Sequence, residues 1–154
     1  MASSLDTRIP PLLLTLLVGM LMATCAWAFP SAGFHLPARW WIGMAVGLAG
    51  AGVMVAAALR FRRQGTTLDP RDPGKSQLIV SDGVFAFTRN PMYLGMALIL
   101  LGWALALSSV VALVWVPLFV LYIDRWQIQP EERMLSERFG QPYLDYLSRV
   151  RRWL

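Results

Sequence analysis

Four apolar stretches separated by polar connections set the frame of this sequence. Pro10 to Phe29 carries no charge and has about the ~20 residues needed to cross a ~30 Å hydrocarbon core as a helix. Trp40 to Leu59 is a second such stretch, opened by two tryptophans in the manner of an interfacial aromatic belt and closed by Arg60, Arg62 and Arg63. Within it Gly43, Gly47 and Ala51 recur every four residues on one face, a spacing that lets a neighbouring helix come close. Pro91 to Ile123 is again uncharged, too long for one ordinary span and slightly short for two. Its one polar pair, Ser108-Ser109, predicts a helical hairpin with a very tight turn, whose arms gain length by running on into Tyr122 to Gln129. The expected fold is all-α and membrane-embedded, with four transmembrane helices at about residues 10–29, 40–60, 91–107 and 110–128.

The polar connections are unequal. Pro30 to Arg39 is a short link. Residues 61–90 form the longest one, punctuated by Gly65, Pro70, Pro73, Gly74 and Gly83, and loops of that length tend to be functional or disordered. Leu78-Ile79-Val80, Phe85 and Phe87 say that it folds back, either onto the bilayer surface or as the wall of a pocket. From Glu131 to Leu154 the chain reads as an amphipathic helix interrupted at Gly140-Gln141-Pro142. Such a helix can lie flat on the membrane or close over the loop. Arginine and lysine gather in the long loop and the tail, while only His35 and Arg39 occupy the first link and nothing charged marks the hairpin turn. Both termini and the long loop are therefore expected on the cytoplasmic side. A cleavable signal is the rival reading of the first stretch, since Arg8 precedes it and Ala26-Trp27-Ala28 resembles a processing site. The run is long for a signal, and its removal would leave the other spans reversed.

Composition narrows the classes. The 154 residues are 56% hydrophobic and 15% charged, which suits one membrane domain. A net charge of +5 raises nucleic acid as a partner, but the basic residues lie beside apolar runs and form no separate basic domain. Cys25 is alone inside an apolar run and His35 is the single histidine, so neither a disulfide nor a metal site is expected.

Chemistry concentrates where the long loop meets the third span. Arg89-Asn90-Pro91-Met92-Tyr93-Leu94-Gly95 brings together a cation, a favoured N-cap residue, a proline suited to the first helical turn, an aromatic ring and a glycine. The free N–H groups and the positive end of the helix dipole would face the loop. After the hairpin, Arg125 and then Glu131-Glu132 form a second polar cluster that should return to the same membrane face.

Gly83 to Gly95, the hairpin, Glu131-Glu132 with Leu135, Phe139-Gly140, Tyr143, Tyr146, Val150 and Arg152 together resemble the isoprenylcysteine carboxyl methyltransferase family and its phospholipid methyltransferase relatives. The family pattern is a glycine-proline-tyrosine turn, then arginine-histidine-proline, any residue, tyrosine, any residue, glycine, and later a glutamate pair with an aromatic-rich tail. Here Val84 replaces the turn proline and Asn90 the histidine, the latter as in bacterial members, so a bacterial inner membrane is the expected location. The likeness covers roughly the C-terminal half.

The resemblance implies a single methyltransferase domain over residues 1–154 that binds S-adenosylmethionine, beside the expectation from the residues of no metal and no nucleic acid. It places Gly83, Phe85, Phe87, Arg89, Asn90, Pro91, Tyr93, Gly95, Glu131 and Glu132 at the cofactor. In chemical terms, Glu131 and Glu132 suit the ammonium or hydroxyl groups, and Asn90 with the N–H groups after Pro91 suits the carboxylate. The rings of Phe85, Phe87 and Tyr93 suit adenine or the sulfonium, and Gly95 would let the cofactor approach the backbone. Arg125 and Arg152 could orient an acceptor carboxylate and Glu132 could deprotonate an amine, making these three the catalytic candidates. The acceptor is expected to be lipid-like and to arrive laterally from the membrane. Two rivals stand beside this: a noncatalytic bundle or transporter subunit, and an enzyme acting on a soluble thiol or small carboxylate.

Overall fold

The computed structural model describes residues 10–63 and 79–154, which are helical apart from short connections and one isolated bridge. Gln64 to Leu78, with Arg71 and Lys75 of the expected cytoplasmic loop, lies outside the described residues, as does Arg8. Helix α1 spans Pro11–Ala28, α2 Arg39–Arg63, α3 Pro91–Leu107 and α4 Val110–Ile123. α1, α2 and the continuous helix Val110–Phe139 are long and apolar enough to cross a membrane. α3 is apolar as well, but its 17 residues extend only about 26 Å, short of a typical hydrocarbon core.

The predicted turn is where the sequence puts it. Ser108 takes a left-handed conformation (φ 49°) that ends α3, and the Ser109 hydroxyl accepts the Ala112 N–H at 3.4 Å to cap α4. The link after α1 is tied to this turn, with the Phe34 N–H donating to the Ser108 carbonyl at 2.9 Å and Gly33 bridging Ser109. The α1–α2 link and the α3–α4 turn thus share one end of the bundle. The end of α2, the start of α3 and the end of α4 share the other.

Small residues bring α2 onto α3. A Cβ on Gly43 would stand 2.5 Å from the Gly102 carbonyl, and one on Gly50 would stand 2.6 Å from the Gly95 carbonyl. A Cβ on Gly102 would meet the Gly43 carbonyl and, at 2.8 Å, the Gly47 nitrogen. The close face therefore runs through Gly43, Gly47 and Gly50, with Gly50 making the contact one residue before the expected Ala51. α3 is the most buried helix, and Met22, Met96, Leu100, Ala104, Phe119 and Ile123 form the core around it. α1 leans on α3 and α4, where the Trp103 indole donates to the Gly19 carbonyl at 3.0 Å. Its outward Leu12, Leu16 and Met20 are exposed, as lipid-facing side chains would be.

The last part of the chain departs from expectation in one respect. The helix does not end near Gln129 and restart at Glu131. It widens through a π-helical turn, Asp124–Ile128, closed by the Gln129 N–H on the Asp124 carbonyl, and continues as α5, Gln129–Phe139. The break at Gly140 is as expected: its φ of +59° turns the chain into α6, Gln141–Arg149.

Candidate functional site

The candidate site is built at the end of the bundle away from the hairpin turn, from three stretches distant in sequence. The first is Asp82 to Asn90. Gly83 has φ +61° and lies under the Arg60 guanidinium, which is itself held to Asp82 at 2.8 Å, so a Cβ there would be strained and would push Arg60 aside. Phe85 is buried edge-on to Phe61, with ring centroids 5.1 Å apart, and its carbonyl accepts the Tyr146 hydroxyl at 2.8 Å. This pins the loop between α2 and α6. Phe87, by contrast, is 76% exposed and joins no part of the polar cluster.

The second stretch is the start of α3. Pro91 opens the helix as expected, but the Asn90 side chain does not cap it. Its Nδ2 donates instead to the Arg152 carbonyl at 3.0 Å, beside the Arg89 N–H on the Arg151 carbonyl at 3.0 Å and the Thr88 hydroxyl on the Arg152 carbonyl at 3.3 Å. The C-terminal segment is thus laced across the loop. One turn into α3, the buried Tyr93 donates its hydroxyl to Glu131 Oε1 at 2.6 Å, so the two expected clusters meet at one end of the bundle. Gly95 belongs elsewhere: the place of its absent Cβ is filled by the Met54 side chain and the Gly50 carbonyl, making it a helix-crossing residue that faces α2.

The third stretch is the π-helical turn with α5 and the tail. Glu132 is gripped by Arg152 through both oxygens, at 2.6 and 3.2 Å, and by Arg89 at 3.4 Å. Arg152 also reaches Asp124 Oδ1 at 3.2 Å, and Asp124 accepts from Gln129 at 3.0 Å. Fork-like arginine contacts of this kind hold both position and orientation. They keep the Arg152 guanidinium charge even more firmly than usual, with the Glu132 hydrogen bonds as the main cause. Arg125 stands at the margin: it is exposed, lies over the Trp126 ring and touches the network only through Gln129 at 2.9 Å. The acidic pair gains nothing from a helix N-terminus, because α5 continues the helix before it.

Two groups in this network are incomplete. Arg89 Nε is buried and has no hydrogen-bond acceptor. Glu131 lies beyond the apolar portion of its helix and faces a neutral phenol, with no ion pair to any cation among the described residues. Burial raises its carboxyl above the usual carboxylate range, the Tyr93 hydrogen bond opposes that, and the neighbouring Glu132 adds to it. The Tyr143 phenol, buried over the same cluster, is also pushed up, mainly by desolvation and then by Glu132. A guanidinium N–H lacking an acceptor and a carboxylate lacking a cation, on either side of Glu132 in the network, suit a ligand bearing both charges. Asp124, Thr88 and Tyr143 were not singled out as site residues, although Asp124 is the first charge after the long uncharged run and could have been noticed as its polar boundary.

The phospholipid methyltransferase family profile matches residues 38–142, about two thirds of the chain. The chain belongs to the phospholipid methyltransferase family. Its family region takes in α2, α3, the hairpin and α5, whereas most of α6 and Arg152 fall beyond the match. Among individual relatives, an uncharacterised protein of Haemophilus influenzae is 46% identical over 63 residues, which is 41% of this chain and the whole of that protein. The protein-S-isoprenylcysteine O-methyltransferase of Schizosaccharomyces pombe is 32% identical over 76 residues, which is 49% of this chain and 32% of the yeast protein. This phospholipid methyltransferase family member therefore spans about a third of that enzyme's length. Family membership and the apolar helices together support an integral membrane methyltransferase.

Proposed function

We propose that this chain uses S-adenosylmethionine to methylate a lipid-like acceptor delivered from the bilayer. The observation that carries the proposal is the pair of incomplete groups described above, a cation-free Glu131 and the orphaned Nε of Arg89, both joined to the network around Glu132 near the start of α3. The amino-acid end of that cofactor has the complementary charges. In this reading Glu131 ionises to hold the ammonium, and Arg89 with the first-turn N–H groups of α3 holds the carboxylate. Tyr93 fixes the orientation of Glu131, while Arg152, itself anchored on Asp124, holds Glu132 so that Glu132 in turn holds Arg89. Asn90, Thr88 and Pro91 set the entry angle of α3, and Phe85, packed on Phe61, holds the loop to α2. Phe87 and Gly95 take no part.

The cofactor supplies a methyl group on a sulfonium, whose carbon–sulfur bond breaks as the acceptor–carbon bond forms, leaving a neutral thioether. The protein's task is to align the acceptor and exclude water. A carboxylate acceptor needs no base, and Arg125, which spends one contact on Gln129, has donors left to orient it. An amine acceptor must lose a proton; with Glu132 held by two arginines, water is the proton acceptor that remains. Arginines at this end, on α2, the loop and the tail, favour a cytoplasmic site and cytoplasmic termini, which requires α3 to serve as a fourth, short span with the bilayer thinned around it.

Membranes containing the protein, given methyl-labelled cofactor and then separated into lipid, protein and small-molecule fractions, test this reading. Label should enter the lipid or lipidated-protein fraction and disappear with Glu131→Gln. Label in the small-molecule fraction alone would move the acceptor out of the bilayer, and no label in any fraction would remove the methyl-transfer reading.

A further inference from the structure

At the opposite end of the bundle, the α1–α2 link and the hairpin turn enclose a cleft of about 460 Å³, lined by Phe34, His35, Arg39, Trp40, Trp41 and Ser108 among others. Its charge is one-sided. Every acidic residue among the described residues lies in the Asp82 loop, the π-helical turn, α5 or α6, all at or beyond the other end, so none of them neutralises Arg39. Among the described residues Arg39 makes no ion pair; its guanidinium stacks on the Trp40 ring at 5.2 Å. It also stands in the first turn of α2, where the helix dipole disfavours a cation, so the local backbone gives no reason for its presence. Trp40 and Trp41 are 56% and 71% exposed at the start of an apolar helix, the depth at which indoles sit among headgroups.

We propose that this cleft holds the headgroup of an anionic phospholipid from the leaflet opposite the candidate active site. Arg39 and the His35 ring N–H take the phosphodiester, and the two indoles lie along the glycerol and upper acyl region. A cleft with a cation and no acid suits a lipid that carries no ammonium group, so phosphatidylglycerol is preferred over phosphatidylcholine. Ser108 is among the lining residues and its carbonyl is held by the Phe34 N–H, so the cleft adjoins the turn that sets α3 against α4.

Native mass spectrometry of the full chain released from nanodiscs of mixed phosphatidylglycerol and phosphatidylcholine, matched in acyl chains, tests this without reference to methyl transfer. The wild type should retain one more phosphatidylglycerol than phosphatidylcholine. His35→Gln/Arg39→Gln, both at exposed positions, should lower that retention about tenfold, and Arg39→Lys should keep most of it. Equal retention of the two lipids, or no difference between wild type and the glutamine variant, would overturn the proposal. So would displacement of the lipid by soluble glycerol phosphate at matched concentration, which would show a free phosphate site.

Discussion

The interface between α2 and α3 and the polar end that it leads to are held together by opposite means. Along α2 and α3 there are almost no polar contacts; Gly43, Gly50, Gly95 and Gly102 let two backbones touch, and position is set by shape alone. At the polar end, among the described residues, the backbones meet directly only where the Arg89 N–H reaches the Arg151 carbonyl, and side chains do the rest. Asp82 to Asn90, the start of α5 and the tail are joined by side chains that cross between them: Tyr93 to Glu131, Asn90 to Arg152, Arg152 to Glu132 and Asp124. The difference teaches where each function resides. A rigid glycine seam delivers the first turn of α3 to a fixed place, and an adjustable network of charges is then assembled around it.

Breaking the seam should have the largest effect. Gly102→Leu drives a side chain into the Gly43 carbonyl and the Gly47 backbone, which cannot move aside as a flexible side chain could, and should cost about 3 kcal/mol or more. A thermal-unfolding midpoint in detergent that stays at the wild-type value would refute the seam. Breaking the network comes next. Glu132→Ala leaves Arg89 and Arg152 without their shared anion; since Arg152 is a third exposed, the loss should be about 1–3 kcal/mol, with methyl transfer abolished. Tyr93→Phe removes one hydrogen bond to a charged or chargeable group, about 1 kcal/mol, and should weaken cofactor binding more than it weakens the fold.

Glu131→Gln sharpens the contrast because it should barely affect the fold. The native carboxyl has a raised pKa, so the folded state holds this proton more firmly than the unfolded chain, and the contribution to stability is complete at low pH and lost as pH rises through the native value. The glutamine variant should therefore flatten that decline while removing the cofactor's ammonium partner. In the wild type, cofactor affinity should rise with pH over the same window, because binding a cation requires Glu131 to release its proton. The smallest effect is expected for Phe87→Ser, within about 0.5 kcal/mol and without loss of activity, since the ring is exposed and touches nothing in the cluster.

Much of this was legible in the sequence. Uncharged runs mark the helices, Ser108-Ser109 marks the hairpin because a capping serine follows one that can turn left-handed, and Gly140 marks the break before α6. The meeting of Arg89 and Tyr93 with Glu131 and Glu132 follows from a span and return that must bring its two ends to one face. Other features were hidden for physical reasons. Pro130 looks like the first residue of a new helix, yet the π-helical turn widens the backbone ahead of it and the helix runs through. Gly95 serves a helix crossing or a ligand equally well on paper, and only the position of Met54 decides between them. Asn90 has a capping side chain, but the returning tail offers it a carbonyl instead.

The most direct measurement of the central claim is calorimetric titration of the full chain in nanodiscs with S-adenosylmethionine, comparing wild type with Glu131→Gln at one pH. The account predicts saturable one-to-one binding that weakens about tenfold or more when the carboxylate is replaced, with the unfolding midpoint unchanged. Binding of equal strength in the two proteins, or no binding to either, would contradict it.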